Sequence, residues 1–480
     1  MNKSKISDHK RVKKELITPW NYLMGDKLEL RSWYKERCPE YLWLVGIVDK
    51  YGRKEGLKLC YHIIEYIVNN SLKVDSLALS NIIKLNNPNL YDFINKLIGK
   101  EILDFFCIVS NDNKLFREKF YLLKNTNQNR INKIKEYMRL AQDGHSEIAT
   151  DVRFLIVWFL AHKGTLKILK GMETADALTE YYHLEHTDEK MRLYRSLIRS
   201  TEVNSSMIYQ DKEYIEYFWN IVGSISKCEL SYINYQEVNM MDIKEYLNIL
   251  KKEITLLVNE HSNEYTNSKF SVITSTFVYC LKLIDEIVEN DLYFGISSRL
   301  IIRTIMDCYV NIKYLLLMEQ ENEKIWDEFI EYGLGKYKLI NLKSRSNNNE
   351  EYTHVTFPVI EAFVNNEKDE EFLNVDLGNF KKSDMRVKFE KVGEKELYDY
   401  IYDYDIQFSH GHWGAIRESA TTICSNPLHE NHFLADTDFV TKCSSVKGDL
   451  IKIMNKFARL INEIYNEFNI KELEKYGLQN

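Results

Sequence analysis

The chain reads as an all-α protein of two helical domains, the C-terminal one a helical bundle, and three observations carry that prediction. Proline occurs five times and glycine 18 times, too seldom for the turns of a β-sandwich or barrel. Long stretches repeat apolar residues at three- and four-residue spacing, the pattern of helices with one buried face. At 480 residues the chain exceeds what one ordinary hydrophobic core covers, so it divides into domains. With 45% hydrophobic and 28% charged residues it has the composition of a globular protein rather than a disordered one.

Residues 1–15 begin MNKSKISDHKRVKK. They are basic, lead into no apolar run, and read as a flexible tail rather than a signal peptide. Arg31 to Val68 reads as two helices. Pro39 suits a first helical turn. Leu42, Leu44, Val45, Ile47 and Val48 follow at helical spacing, and Tyr51-Gly52-Arg53 breaks the run. Leu57, Cys60, Ile63, Ile64 and Ile67 then form the buried face of the second helix. Between Asn86 and Asn129 the pattern loosens around the loop-like NNPN and NTNQN. There KLFREKFYLL fits a strand pair or a helix. Helices resume near Ile131 and continue to about Ser226. CELSYINYQEVNM, 228–240, has no helical stripe and marks the domain boundary, giving an N-terminal domain 16–235 and a C-terminal domain 236–480.

The second half is more regular. Asp242–Glu260, Ser271–Glu289, Ser297–Met318 and Trp326–Leu342 read as helices. A polar loop region, 344–371, follows. Helices near 383–392, 394–420 and 440–468 close the chain. The last carries Leu450, Ile453, Met454, Phe457, Leu460 and Ile464 on one face.

Net charge is −7, so no global basic field favours nucleic acid, and stable DNA binding is not expected. The most apolar helix carries Arg303, Asp307, Asn311 and Lys313, which argues against a membrane span. The eight cysteines form no CxxC pair and read as reduced core thiols of a cytoplasmic protein. Trp20, Trp33 and Trp43 with Tyr34 and Tyr41 read as core packing. Gly333-Leu334-Gly335-Lys336 lacks the spacing of a phosphate loop.

Two stretches could carry chemistry. Arg303, Asp307 and Asn311 recur every four residues, so they share one stripe of a helix. Burying them demands a polar partner stripe. The pair either fixes helix register or walls an active site. The natural partner is FSHGHWGAIRESATTICSNPLHENH, 408–432, which holds four of the twelve histidines. Tyr400, Tyr402, Tyr404, Asp403 and Asp405 lead into His410, His412 and Arg417, and on a continuous helix His410 and Arg417 share a face. His410 or His412 meeting the Arg303–Asp307 pair would supply acid–base chemistry. Alternatively His410, His412, His429 and His432, with Asp405 or Asp436, would bind a metal and form a hydrolase centre.

ERCPEYLW at 36–43, RTIMD at 303–307, SHGHWGAIRE at 409–418 and CSNPLHENH at 424–432 together resemble a bacterial family of unknown function, over about residues 30–440. The C-terminal helical domain is similar to the HEPN superfamily of ribonuclease-like toxin and phage-defence (abortive-infection) domains. That resemblance implies a defence or toxin-like effector, a homodimer that cleaves RNA without metal or other cofactor. His412 or His410 would act as acid or base, with Arg303 and Asp307 as supporting charges. Arg417, Lys381, Lys382 and Arg386 would contact RNA, the last three within NFKKSDMRVKF. Arg192, Arg195 and Arg199 form a second basic face. The superfamily's arginine-to-histidine spacing is approached only at Arg139–His145, RLAQDGH, where Leu140 and Asp143-Gly144 depart from it. The other readings are a non-enzymatic helical sensor or dimerisation protein and the metal-dependent hydrolase.

Overall fold

The computed structural model describes residues 5–24, 32–110, 112–169, 171–205, 211–231, 243–264, 266–347, 354–440 and 443–477. It is an all-α protein with two small β-sheets. The chain divides into two compact units. Unit 1 comprises residues 1–231 together with 423–434, and unit 2 comprises 232–422 together with 435–480. Most of the expected boundary segment, 232–240, lies outside the described residues.

Unit 1 is organised around helix α1, Cys38–Tyr51, which is apolar on every side and buried from Cys38 to Val48. Pro39 sits in its first turn. Gly52, at φ 75°, takes the left-handed turn that separates it from α2, Arg53–Asn69. The two helices pack closely because Gly56 has no side chain: a Cβ there would stand 2.7 Å from the Val48 backbone. α3 (Asn127–Ala141), α4 (Glu147–His162), α5 (Met191–Ser205) and α6 (Lys212–Ile225) complete the main frame. Thr126, Ser146 and Asp211 cap the starts of α3, α4 and α6 by accepting from the backbone NH of Asn129, Ala149 and Tyr214. The ambiguous KLFREKFYLL is helical over Lys114–Phe120. Asn113 caps that helix, and Phe116 and Phe120, one turn apart, are fully buried.

Several buried charges of unit 1 are paired. Glu202, fully buried, receives Arg37 Nε at 3.1 Å and Arg153 Nε at 2.7 Å. Arg130 meets Asp104 at 2.7 Å with both side chains fully buried. Trp43 is buried with its indole NH on the Leu77 carbonyl, Trp33 stacks on Tyr41, and Tyr34 sits edge-on to Trp219. The Trp20 side chain lies outside the described residues. Where the sequence suggests a tail, Lys10–Val12 (β1) and Glu15–Ile17 (β2) form an exposed antiparallel hairpin.

Unit 2 holds α7 (Ile243–Glu260), α8 (Ser268–Glu289), α9 (Ile296–Glu319) and α10 (Ile325–Asn347). It continues with α11 (Phe357–Glu367), α12 (Met385–Lys391), α13 (Asp403–Ser409), α14 (Trp413–Ala420) and α15 (Lys447–Ile464). α9 is central and touches α8, α10, α12, α13 and α15. α15 buries Leu450, Ile453, Met454 and Phe457 of the expected stripe together with Ala458 and Ile461, while Leu460 and Ile464 are half-buried. The structure differs from the sequence reading in three places. α11, with Pro358 in its first turn, occupies part of the expected 344–371 loop. The single helix expected over 394–420 is broken at His410–His412, where Gly411 has φ 59°. It is also widened to a π-helical turn over Tyr398–Tyr402. Residues 423–434 pack with unit 1 and not with the rest of the C-terminal half. They bring parts of β4 (Thr421–Cys424) and β5 (Phe433–Ala435) beside β3 (Leu230–Ser231), in the order β3-β4-β5. Leu230 is paired with Cys424 and Ser231 with Ile423, antiparallel. No helix among the described residues is long and apolar enough to cross a membrane.

Candidate functional site

The polar stripe on α9 meets its partner inside unit 2. The partner is the π-helical turn Tyr398–Tyr402 with α13. The Arg303 guanidinium lies 5.5 Å from the centre of the Tyr402 ring. Burial pushes the Asp307 carboxyl above its usual range, against a hydrogen bond with Tyr402 and the Arg303 charge. Asn311 accepts from the buried Lys388 ammonium at 2.9 Å. One turn before Arg303, buried Arg299 donates to the carbonyls of Gly295 and Ser444, each at 2.8 Å. Asp405, on α13 and 3% exposed, is pushed up to about 7 by burial, against the pull of Arg299 and Arg303. Further along α9, Glu394 accepts from Tyr309, Lys313 and Lys456 at 2.7, 2.8 and 2.8 Å. Burial opposes its charge, yet those donors hold its carboxyl below the usual range.

The histidines take other positions. His410 and His412 are exposed on the α13–α14 turn with ring centres 5.7 Å apart. His412 Nδ1 donates to Gln407 Oε1 at 2.9 Å, so its hydrogen bond goes back to α13 and not to Arg303 or Asp307. Arg417 is exposed on α14, and the break at Gly411 removes the shared face expected for it and His410. Lys381 is paired with Glu328 and Arg386 with Glu390, while Lys382 is exposed. In unit 1, Arg195 faces Glu147 at 3.7 Å, and Arg139, of the Arg139–His145 spacing, is paired with Glu229.

His429 and His432 belong to unit 1, where they meet two cysteines. One ligand atom from each of Cys228, Cys424, His429 and His432 lies within 4.8 Å of all the others. Cys228 Sγ is 3.4 Å from His429 Nδ1 and 3.4 Å from His432 Nε2, and Cys424 Sγ is 3.4 Å from His429 Nδ1. The fold sets these positions. Cys228 lies just beyond α6, and β4 ends at Cys424. Asn426 donates to the Lys227 carbonyl at 2.8 Å and accepts from the Leu428 NH at 3.0 Å. Leu428 is fully buried in the core of unit 1, and Tyr34 donates to the Pro427 carbonyl at 2.6 Å. Glu430 and Asn431, at φ 53° and 57°, turn the chain back. The Cys424 NH then donates to the His432 carbonyl at 3.0 Å. Asp405 and Asp436 are not part of this set. The two cysteines carry no local signature in the sequence. What could have flagged them is Cys228 standing in a segment without helical pattern and Cys424 preceding the histidines in C-x4-H-x2-H.

Residues 270–425 match a family of unknown function, DUF5677. The similarity covers α8 to α14 and β4, and so takes in the Arg303–Asp307 seam, both exposed histidines and Cys424, but not Cys228, His429 or His432. No curated protein and no solved structure matches the chain.

Proposed function

We propose that unit 2 works by association, as a non-enzymatic helical dimerisation or sensor module. One observation carries this reading: the polar stripe of α9 turns toward partners within the unit, although Arg303 Nε and Asp307 Oδ1 make no hydrogen bond among the described residues. Arg303 and Asp307 engage Tyr402, and Asn311 engages Lys388. A buried polar seam of this kind selects one register between helices. Tyr400, 74% exposed, precedes α13 and Trp413, 58% exposed, follows it, and these aromatics are the surface proposed to meet a second copy. Large exposed aromatics of this sort mark contact surfaces. Sedimentation of the full chain tests it. The wild type is expected to self-associate and a Tyr400→Ala/Trp413→Ala variant to be monomeric. A wild type that stays monomeric at high concentration refutes dimerisation through this face.

A second reading is the HEPN-like one, a metal-independent endoribonuclease of bacterial defence. Its support is the exposed His410–His412 pair, with ring centres 5.7 Å apart, a pairing that could serve acid–base cleavage. Inducing the wild type and a His410→Ala/His412→Ala variant in parallel separates the two. Fragmented RNA and arrested growth in the wild type alone favour the nuclease. Intact RNA in both favours association.

A further inference from the structure

We propose that Cys228, Cys424, His429 and His432 bind one zinc ion in a closed, tetrahedral, structural site. Three independent features carry this. The first is size. With zinc–sulfur bonds near 2.3 Å and zinc–nitrogen bonds near 2.0 Å, neighbouring donors of a tetrahedron stand roughly 3.3–3.8 Å apart. The three sulfur–nitrogen separations of 3.4 Å lie inside that window.

The second feature is the orientation of both imidazoles. Each has one nitrogen held by the protein and the other turned to the thiols. The Ser226 hydroxyl donates to the Val222 carbonyl at 2.6 Å. Its oxygen is therefore an acceptor for His429 Nε2, 2.9 Å away, and the Ser226 carbonyl lies 3.3 Å from the same nitrogen. Nε2 carries the proton, and the Nδ1 lone pair points at both sulfurs. His432 Nδ1 donates to the His429 carbonyl at 2.9 Å, which leaves its Nε2 lone pair aimed at Cys228. A carbonyl or hydroxyl behind the distal nitrogen is the arrangement that orients histidine ligands of metal sites.

The third feature is the donor set. Two thiolates and two imidazoles suit zinc, whereas magnesium and calcium take oxygen ligands. Zinc displaces one proton from each thiol, giving a site of zero net charge, and no electron changes hands. Four protein donors leave no position for a substrate water, so the ion is a staple and not a hydrolytic centre. It would tie the end of α6 to the 423–434 segment, whose ladder to β3 is two residue pairs long among the described residues.

The full chain, purified without added metal, is expected to contain about one zinc per chain. After its removal, Co2+ is expected to give the visible bands of a tetrahedral ion and a thiolate charge-transfer band. Cys228→Ser/His432→Ala should lose the zinc. His410→Ala/His412→Ala should keep it, which separates this site from the other histidine pair. If the first variant does not fold, the Co2+ titration of the wild type decides alone. A wild type with neither bound zinc nor tetrahedral Co2+ bands overturns the proposal, as does full zinc content in folded Cys228→Ser/His432→Ala.

Discussion

Replacing Asp405 by asparagine should make unit 2 more stable at high pH and leave it nearly unchanged at low pH. Asp405 is 3% exposed on α13. It faces Arg299 and Arg303, which favour its charge, and Asp449, which opposes it. Burial outweighs the arginines and carries the carboxyl from the usual 3.8 to about 7. Between those two values the folded protein holds a proton that the unfolded chain has released. A group of this kind contributes stability that is full below the unfolded value and is lost as pH rises to the folded one. The shift corresponds to a ceiling of roughly 4 kcal/mol at 1.36 kcal/mol per unit. Asparagine mimics the protonated acid at every pH. Urea denaturation of wild type and Asp405→Asn at pH 4 to 8 gives a stability difference in which unit 1, identical in both, cancels. The difference is expected to be small near pH 4, to grow through pH 5 and 6, and to level off above about 7. A difference that does not vary with pH, or a variant less stable than the wild type at pH 8, refutes the reasoning.

Two further perturbations probe unit 1. Glu202→Gln should cost about 3–5 kcal/mol, because it strands Arg37 and Arg153 in the core. At about 2–4 °C per kcal/mol for a unit of this size, calorimetry should find the transition of unit 1 lowered by about 6–20 °C. A shift under 2 °C would mean that the arginines find other partners. Gly46→Ala would place a Cβ 2.9 Å from Ile102 Cγ2 and the Tyr137 ring. Overpacking of that kind costs about 1–3 kcal/mol in denaturation, and an unchanged midpoint would contradict the packing.

The all-α class and most of the helices were legible because their signals are local. Gly52 breaks α1 from α2, and the stripe from Leu450 to Ile461 places α15. The helix at Lys114–Phe120 was ambiguous because its strongest determinants, the Asn113 cap and the burial of Phe116 with Phe120, are tertiary and conformational. The break at Gly411 falls in a run that keeps helical periodicity on both sides, and the left-handed φ of Gly411 with the extended backbone of His412 separates α13 from α14. The stripe on α9 was visible in the sequence, but the partner expected for it was the histidine stretch 408–432, whereas it meets the tyrosine-rich turn just before that stretch. Tyr402 reaches Arg303 from the π-helical turn before α13, while the break leaves His412 turned to Gln407. The cluster of Cys228, Cys424, His429 and His432 was half visible. The histidines stood out by their spacing. Cys424 precedes them in the same segment, and Cys228 joins because 423–434 packs into unit 1, a long-range pairing that no periodicity encodes.

The same segment has a consequence for how the protein is made. Leu428, fully buried in the core of unit 1, is translated only after residues 232–422 have been synthesised. Unit 1 therefore cannot close its core in the usual N-to-C order. It waits with an open slot, and an unpartnered Cys228, while nearly all of unit 2 is synthesised. Any nascent chain released before residue 434 exposes that slot, so truncated products should be the forms that chaperones and proteases recognise first.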